Sequence, residues 1–356
     1  MQKMNKQRGF SLLELMVSAT LGLLVIGSAV QLFKMGMNST TIVVQRSEMQ
    51  ENMRASIELM TKDISLAGAG LPSSGIQLPS GLGSTVSRFG CDQLACHVPG
   101  GTYPNGNYMT GIIPGYKTGV EANAAIPNAS ALVNDSITVI YADYNFPLNQ
   151  YQMSMPVGGD GSFVNVNLPF PAPVPAPPLL TAPGGIQVGD LIWLSNSAGN
   201  AVGEVTAFAN NSLTFATNDA LNINQPGAAK GNIKALNNGT PLTGYRIFAI
   251  TYYLTVPVNG QFPRLMRQVN GQTPIPVADD IINLQFAYDV YNSTTNALDA
   301  NQVDPLGAGD PLSLVQKVNI NVMGEAMLNN ATQGAQSMHL ATAVSARNMA
   351  FRNRYQ

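Results

Sequence analysis

Charge is scarce in this chain. Asp, Glu, Lys and Arg make up 11% of its 356 residues, and the formal net charge is −2. No basic stripe is available to displace counterions from a phosphate backbone, which argues against nucleic acid as a partner. Histidine is scarcer still, with only His97 and His339. No Gly-rich phosphate loop, HExxH pair or nucleophile elbow occurs. An enzyme needs a poised constellation of such groups, so neither catalysis nor a cofactor is expected. The single tryptophan, Trp193 in "DLIWL", reads as core rather than as a ligand platform.

Charge is nearly missing from one stretch in particular. Phe10 to Phe33 is 24 residues without Lys, Arg or Asp, and about 20 suffice to cross a hydrocarbon core. Lys3, Lys6 and Arg8 precede it with no acid among them. Basic residues beside a span stay in the cytoplasm, so the chain beyond Phe33 is expected outside. "GSA" at Gly27–Ala29 imitates a signal-peptide cleavage site, although the apolar run continues past it. One acid interrupts the stretch: Glu14. A charge at the bilayer centre costs about 2.5–3.5 kcal/mol on insertion scales, so the residue needs a partner or a purpose.

The residues "RGFSLLELMV" resemble the leader of type IV prepilins and type II secretion pseudopilins. The resemblance implies a cut between Gly9 and Phe10 by prepilin peptidase, with methylation of the new Phe10 amine. It implies that Glu14 pairs with the Phe10 amine of a neighbouring subunit during assembly. Such a pair enforces register, because a buried charge left alone costs several kcal/mol. The partners implied are prepilin peptidase, major and other minor pilins, an inner-membrane assembly platform and the membrane. The location implied is the inner membrane, held by one helix with a periplasmic domain, and then the pilus at the cell surface.

Beyond Phe33 no proline occurs until Pro72. Met49, Met53, Ile57, Met60, Ile64 and Ala67 recur at spacings of three and four, an apolar stripe suited to packing on a domain. Gly68, Gly70 and Pro72 stop the pattern. A single helix from Phe10 to Ala67 would measure about 87 Å. Its first part is assigned to membrane or filament core and its second to the domain. The expected divisions are a leader at 1–9, a transmembrane and assembly helix at 10–33, an amphipathic half at 34–69 and a β-rich domain at 70–356.

That domain is rich in turn formers, with 34 Gly and 23 Pro in the chain. Loops are expected from Gly70 to about Ser130. Strand patterns follow in "DSITVIYADY", "VGDLIWLSN", "EVTAFANNSLTFA", "YRIFAITYYLTV", "PRLMRQV", "IINLQFAYDVY" and "LVQKVNINVMGEA". "LPFPAPVPAPPLL", Leu168 to Leu180, should run as extended polyproline. The fold class expected is α+β: a long N-terminal helix on an antiparallel sheet domain with long loops. An exported chain lives where disulfides persist, so Cys91 and Cys96 are expected to pair. Free thiols, or a metal site with His97, are the alternatives. Asp289, Asp299, Asp304 and Asp310 crowd one segment without EF-hand spacing, leaving a solvated loop or another kind of calcium site.

A second resemblance lies in "ELMTKDISLAGAG", "TYYLTVPVNGQFPRLMRQVNGQ", "IINLQFAYDVYN" and the closing "TAVSARNMAFRNR". Together they are similar to PilW-type minor pilins, from which the chain departs by a long insert from about Pro147 to Thr243. The resemblance implies a minor pilin acting in pilus assembly or initiation near the tip. A J-type pseudopilin of type II secretion and a tip adhesin are the alternatives.

Overall fold

The computed structural model describes residues 10–98, 107–121, 134–168, 180–181, 183–209, 211–256, 263–305, 312–326 and 336–350. The leader and most of the proline run therefore lie outside the described residues, as does Asp310. The chain divides into two compact units: Met1–Gln50 with Ala326–Gln336, and Glu51–Glu325 with Ser337–Gln356. One helix, α1 (Leu12–Ser65), opens the chain.

The second unit is β-rich. Its strands in chain order are β1 (Ile76–Gln77), β2 (Tyr108–Met109), β3 (Ile112–Gly115), β4 (Ser136–Asp143), β5 (Gln152–Ser154) and β6 (Phe163–Asn167). They continue as β7 (Leu191–Asn196), β8 (Gly199–Glu204), β9 (Ala207–Ala209), β10 (Ser212–Thr214), β11 (Thr243–Thr255) and β12 (Arg264–Val269). The last are β13 (Ile275–Asp279), β14 (Ile281–Asn292), β15 (Ala297–Gln302), β16 (Val315–Ala326) and β17 (Gln336–Ser345). A seven-stranded sheet runs β13-β12-β11-β4-β3, with β7 and β8 continuing from the far part of β11. A four-stranded sheet runs β15-β14-β16-β17, and a smaller one runs β5-β6-β10-β9. The architecture is α+β, as the pattern of the sequence predicts.

β11 explains why the large sheet forms. Its run of aromatic and β-branched residues suits a strand covered on both faces. On one face Ile247, Ala249 and Tyr253 enter a core with Phe89, Met109, Ile140 and Leu191. On the other, the Tyr252 hydroxyl donates to Asp63 of α1 at 2.6 Å. Arg267 of β12, the registered neighbour of Tyr252, donates from Nε to the same carboxylate at 2.9 Å. Around that lock Met53, Met60, Ile64 and Ala67 are fully buried, the helical stripe read from the sequence. The helix ends at Ser65 and the chain turns through Gly68 and Gly70, both in the left-handed region. Gly70 holds φ +70°, and a side chain there would also meet the Ala142 Cβ at 2.8 Å, so glycine is favoured there.

The long insert carries the strands read from its sequence and a core of its own. Leu148, Met153, Val164, Val166, Leu213 and Phe215 build a second core beneath the small sheet. Arg246 of β11 joins it to the large sheet. Its Nε donates to Asp143 at 2.6 Å and its Nη1 to the Gly185 carbonyl at 2.7 Å. Asp190 lies 3.6 Å from Nη1, and the Phe146 and Phe248 rings flank the guanidinium. The Gly70–Ser130 region, expected to be loops, also contributes β1, β2 and β3. These are two to four residues long, too short to leave a periodic signature.

Candidate functional site: the N-terminal helix

The start of α1 is built by two residues. Ser11 sits just before the helix, and its Oγ accepts from Glu14 N at 3.4 Å. In return the Glu14 carboxylate accepts from Ser11 N at 3.4 Å. This reciprocal arrangement is a capping box, which satisfies two backbone donors that helix geometry leaves without partners. It also sets a carboxylate in the first turn, where the helix dipole favours negative charge. The signal was available as "SLLE", a Ser followed three residues later by a Glu, and a reading centred on charge alone passes over it.

Beyond the cap the helix is fitted for an apolar solvent. Leu12, Leu23 and Phe33 are 80%, 68% and 70% exposed. The hydroxyls within the apolar run are turned back onto carbonyls of the preceding turn: Ser18 to Leu15 at 3.0 Å, Thr20 to Val17 at 2.9 Å and Ser28 to Leu24 at 2.8 Å. Each polar group so satisfied costs little in hydrocarbon. Glu14 differs, because its cap uses only part of a charged carboxylate's accepting capacity. Phe10 precedes the cap and is 83% exposed. Gly9 lies outside the described residues. The helix is long and apolar enough to cross a membrane, and with the leader-like residues it is consistent with membrane anchoring.

The other singled-out residues fall into structural roles. Cys91 and Cys96 form a disulfide, within which the Asp92 carboxylate accepts from Leu94 N and Ala95 N at 2.8 and 2.9 Å. Burial works to raise the Asp92 carboxyl, but those two bonds and His97 outweigh it and hold it below its ordinary value. His97 stacks on Tyr253. Its Nδ1 is 2.7 Å from Glu121 and its Nε2 is 3.3 Å from Asp92. In the acidic segment Asp289 accepts from Asn301 N and the Asn319 side chain, both at 3.0 Å, and faces Lys317 at 3.2 Å. Asp299 accepts from Asn292. Among the described residues no three His, Cys, Asp or Glu side chains converge as a metal would require. Trp193 is partly buried and stacks on Tyr245, its registered neighbour across β7 and β11.

The Glu204 carboxyl is displaced from ordinary behaviour. It is fully buried, accepts from Leu221 N at 2.8 Å and lies beside Asp219. Burial first, and then the Asp219 charge, push it up to about 8. A perturbed carboxyl is often catalytic, but this one is sealed inside the fold. The consequence is for stability. A folded-state value above the unfolded one means that the Glu204 contribution is complete below about 4.5 and is lost as pH rises toward 8. Glu204→Gln should therefore melt like the wild type at pH 5 and several degrees higher at pH 8. Parallel melting curves for the two proteins across that range would remove Glu204 as the cause.

A family model described as the prokaryotic N-terminal methylation motif matches residues 4–30. No curated protein and no solved structure gives a significant match to the chain. The matched motif supports a type IV pilin-like or pseudopilin protein, a group whose members are structural. It implies processing by prepilin peptidase and partners among pilus or secretion-system components.

Proposed function

We propose that this chain is a minor pilin of a type IV pilus, matured by removal of 1–9 and methylation of Phe10. The observation that carries this reading is the methylation motif at 4–30, whose residues from Leu12 onward lie on the capped, exposed start of α1. On this reading 10–33 is the membrane and assembly segment, 34–69 the helix half that joins the domain, and 70–356 the extracytoplasmic domain. Prepilin peptidase acts first. The protein waits in the inner membrane with its domain in the periplasm, and the assembly platform then moves it among the major and minor pilins. The late strand blocks support the PilW-type assignment. The size of the second unit supports a place near the tip, where neighbours do not surround every side. The insert, with a hydrophobic core of its own, favours an added adhesive role for the same tip protein.

The leader supplies the test. Gly9→Val should leave the nine-residue leader attached and strand the full-length chain in the membrane, while Gly9→Ala, which stays small, should still be cut. Mass measurement of the membrane-extracted protein reads the difference. Normal maturation of Gly9→Val would contradict processing at this bond.

A further inference from the structure

Buried and half-buried residues alternate along β14 and β16, as they do in a sheet with one covered face. Phe286 and Ile320 are buried. Gln285, Ala287, Asn319 and Asn321 are half-buried, and the register sets Gln285 opposite Asn321 and Ala287 opposite Asn319. A cavity of about 600 Å³ lies here, within the size range of small-molecule sites. Ala341 and Ala343 of β17 line it with exposed side chains too small to fill it. Tyr116 and Val303 add apolar wall, and Asp135 and Thr342 add polar groups.

Two of the polar groups are held in place by the fold's own bonds. Asn319 donates from Nδ2 to Asp289 at 3.0 Å and to Asn301 at 2.9 Å, which leaves its Oδ1 as a fixed acceptor. Asp135 is buried, and its carboxylate oxygens accept from Lys117 N at 2.9 Å and Phe286 N at 3.2 Å. Each of those oxygens keeps a second lone pair. Among the described residues the side chains of Asn321 and Thr342 meet no hydrogen-bond partner. No Lys, Arg or His is among the described residues that line the cavity. The nearby cations are engaged elsewhere: Lys117 lies over the Tyr116 ring, and Lys317 faces Asp289.

We propose that this cavity binds one ring of a neutral saccharide. Fixed acceptors at Asp135 and Asn319 call for a ligand that donates. Asn321 and Thr342 can donate or accept, which suits a ligand whose polar groups are hydroxyls. An anion would bring acceptors to acceptors with no cation in the lining to balance them. An apolar ligand would leave the carboxylate and the amides desolvated and unpaired. An ammonium group would meet a single carboxylate whose two oxygens already accept backbone N–H groups. The alanine methyls, Val303 and Tyr116 match the C–H faces of a sugar ring. The cavity belongs to the four-stranded sheet rather than to the insert, and it does not rest on how the N-terminus is processed.

The test is a saturation-transfer NMR titration of the full chain in a detergent without a sugar headgroup. Glucose and galactose are the neutral probes. Glucuronate and galacturonate are their anionic counterparts, and glucosamine and galactosamine their cationic ones. At least one neutral sugar should bind, with its uronate about tenfold or more weaker and its amine no tighter. Ala343→Trp should abolish that binding by filling the cavity. Asn321→Ala should weaken it about tenfold, the worth of one or two hydrogen bonds. Neither side chain is bonded within the described fold, so both variants should melt with the wild type. Absence of binding by both neutral sugars, tighter binding of a uronate or an amine, or binding that survives Ala343→Trp would each overturn the proposal.

Discussion

Glu14→Ala is expected to reach the membrane as well as the wild type, and to be lost from the sheared filament fraction. Insertion should be slightly easier, because a charge that costs about 2.5–3.5 kcal/mol in the bilayer is gone. Cleavage after Gly9 should survive, because the basic flank and the residues at the cut are unchanged. Assembly should fail because the amine of Phe10 would then be buried without a counter-charge. That costs about 3–5 kcal/mol, equivalent to a hundredfold or more in occupancy. The capping box complicates this simple comparison. Alanine also removes the acceptor for Ser11 N, and loss of a cap alone costs about 1 kcal/mol. Glu14→Gln separates the two effects. Glutamine still accepts from Ser11 N but carries no charge. If charge pairing governs assembly, Glu14→Gln fails as fully as Glu14→Ala. Normal amounts of Glu14→Gln in sheared filaments would assign the residue to the cap.

Asp63→Ala is expected to bring the largest loss of stability. Asp63 is the shared acceptor for Tyr252 and Arg267, and it joins α1 to the centre of the large sheet. Its removal strands a largely buried guanidinium, a cost of about 3–5 kcal/mol. For a domain of this size that lowers the melting temperature by about 6–10 °C. The double change Asp63→Ala with Arg267→Met should recover most of the loss, because the unpaired charge is removed as well. A single variant melting within a degree of the wild type, by circular dichroism of the detergent-solubilised chain, would show that packing of the Met53–Ala67 stripe suffices.

The parts of the fold that follow from local periodicity were readable. The α1 stripe, the β4 and β11 runs and the glycine stop after Ser65 each carry a pattern within a short window. What escaped depends on distant partners. Asp63 stands three residues after Met60 on the apolar stripe, and an acid there is a sign of a buried partner. The sequence does not say that the partners are Tyr252 and Arg267. The insert read as a run of short strands, because neither its second core nor the Arg246 tie to Asp143 and Asp190 has a local signature. β17 leaves little local signal, because "QSMHLATAVS" alternates weakly and only its last four residues fall within the closing "TAVSARNMAFRNR". At the functional end the basic leader, the apolar run and Glu14 were all visible. The cap that Glu14 shares with Ser11 was visible too, but it is a matter of backbone donors rather than of charge.

The most direct test of the pilin-like assignment is the N-terminus of the mature protein. Mass spectrometry of the N-terminal peptide from wild-type membranes should find a chain that begins at Phe10 with one methyl group on its amine. A chain beginning at Val30, after the signal-like Gly27–Ala29 segment, or one that retains Met1–Gly9, would contradict it.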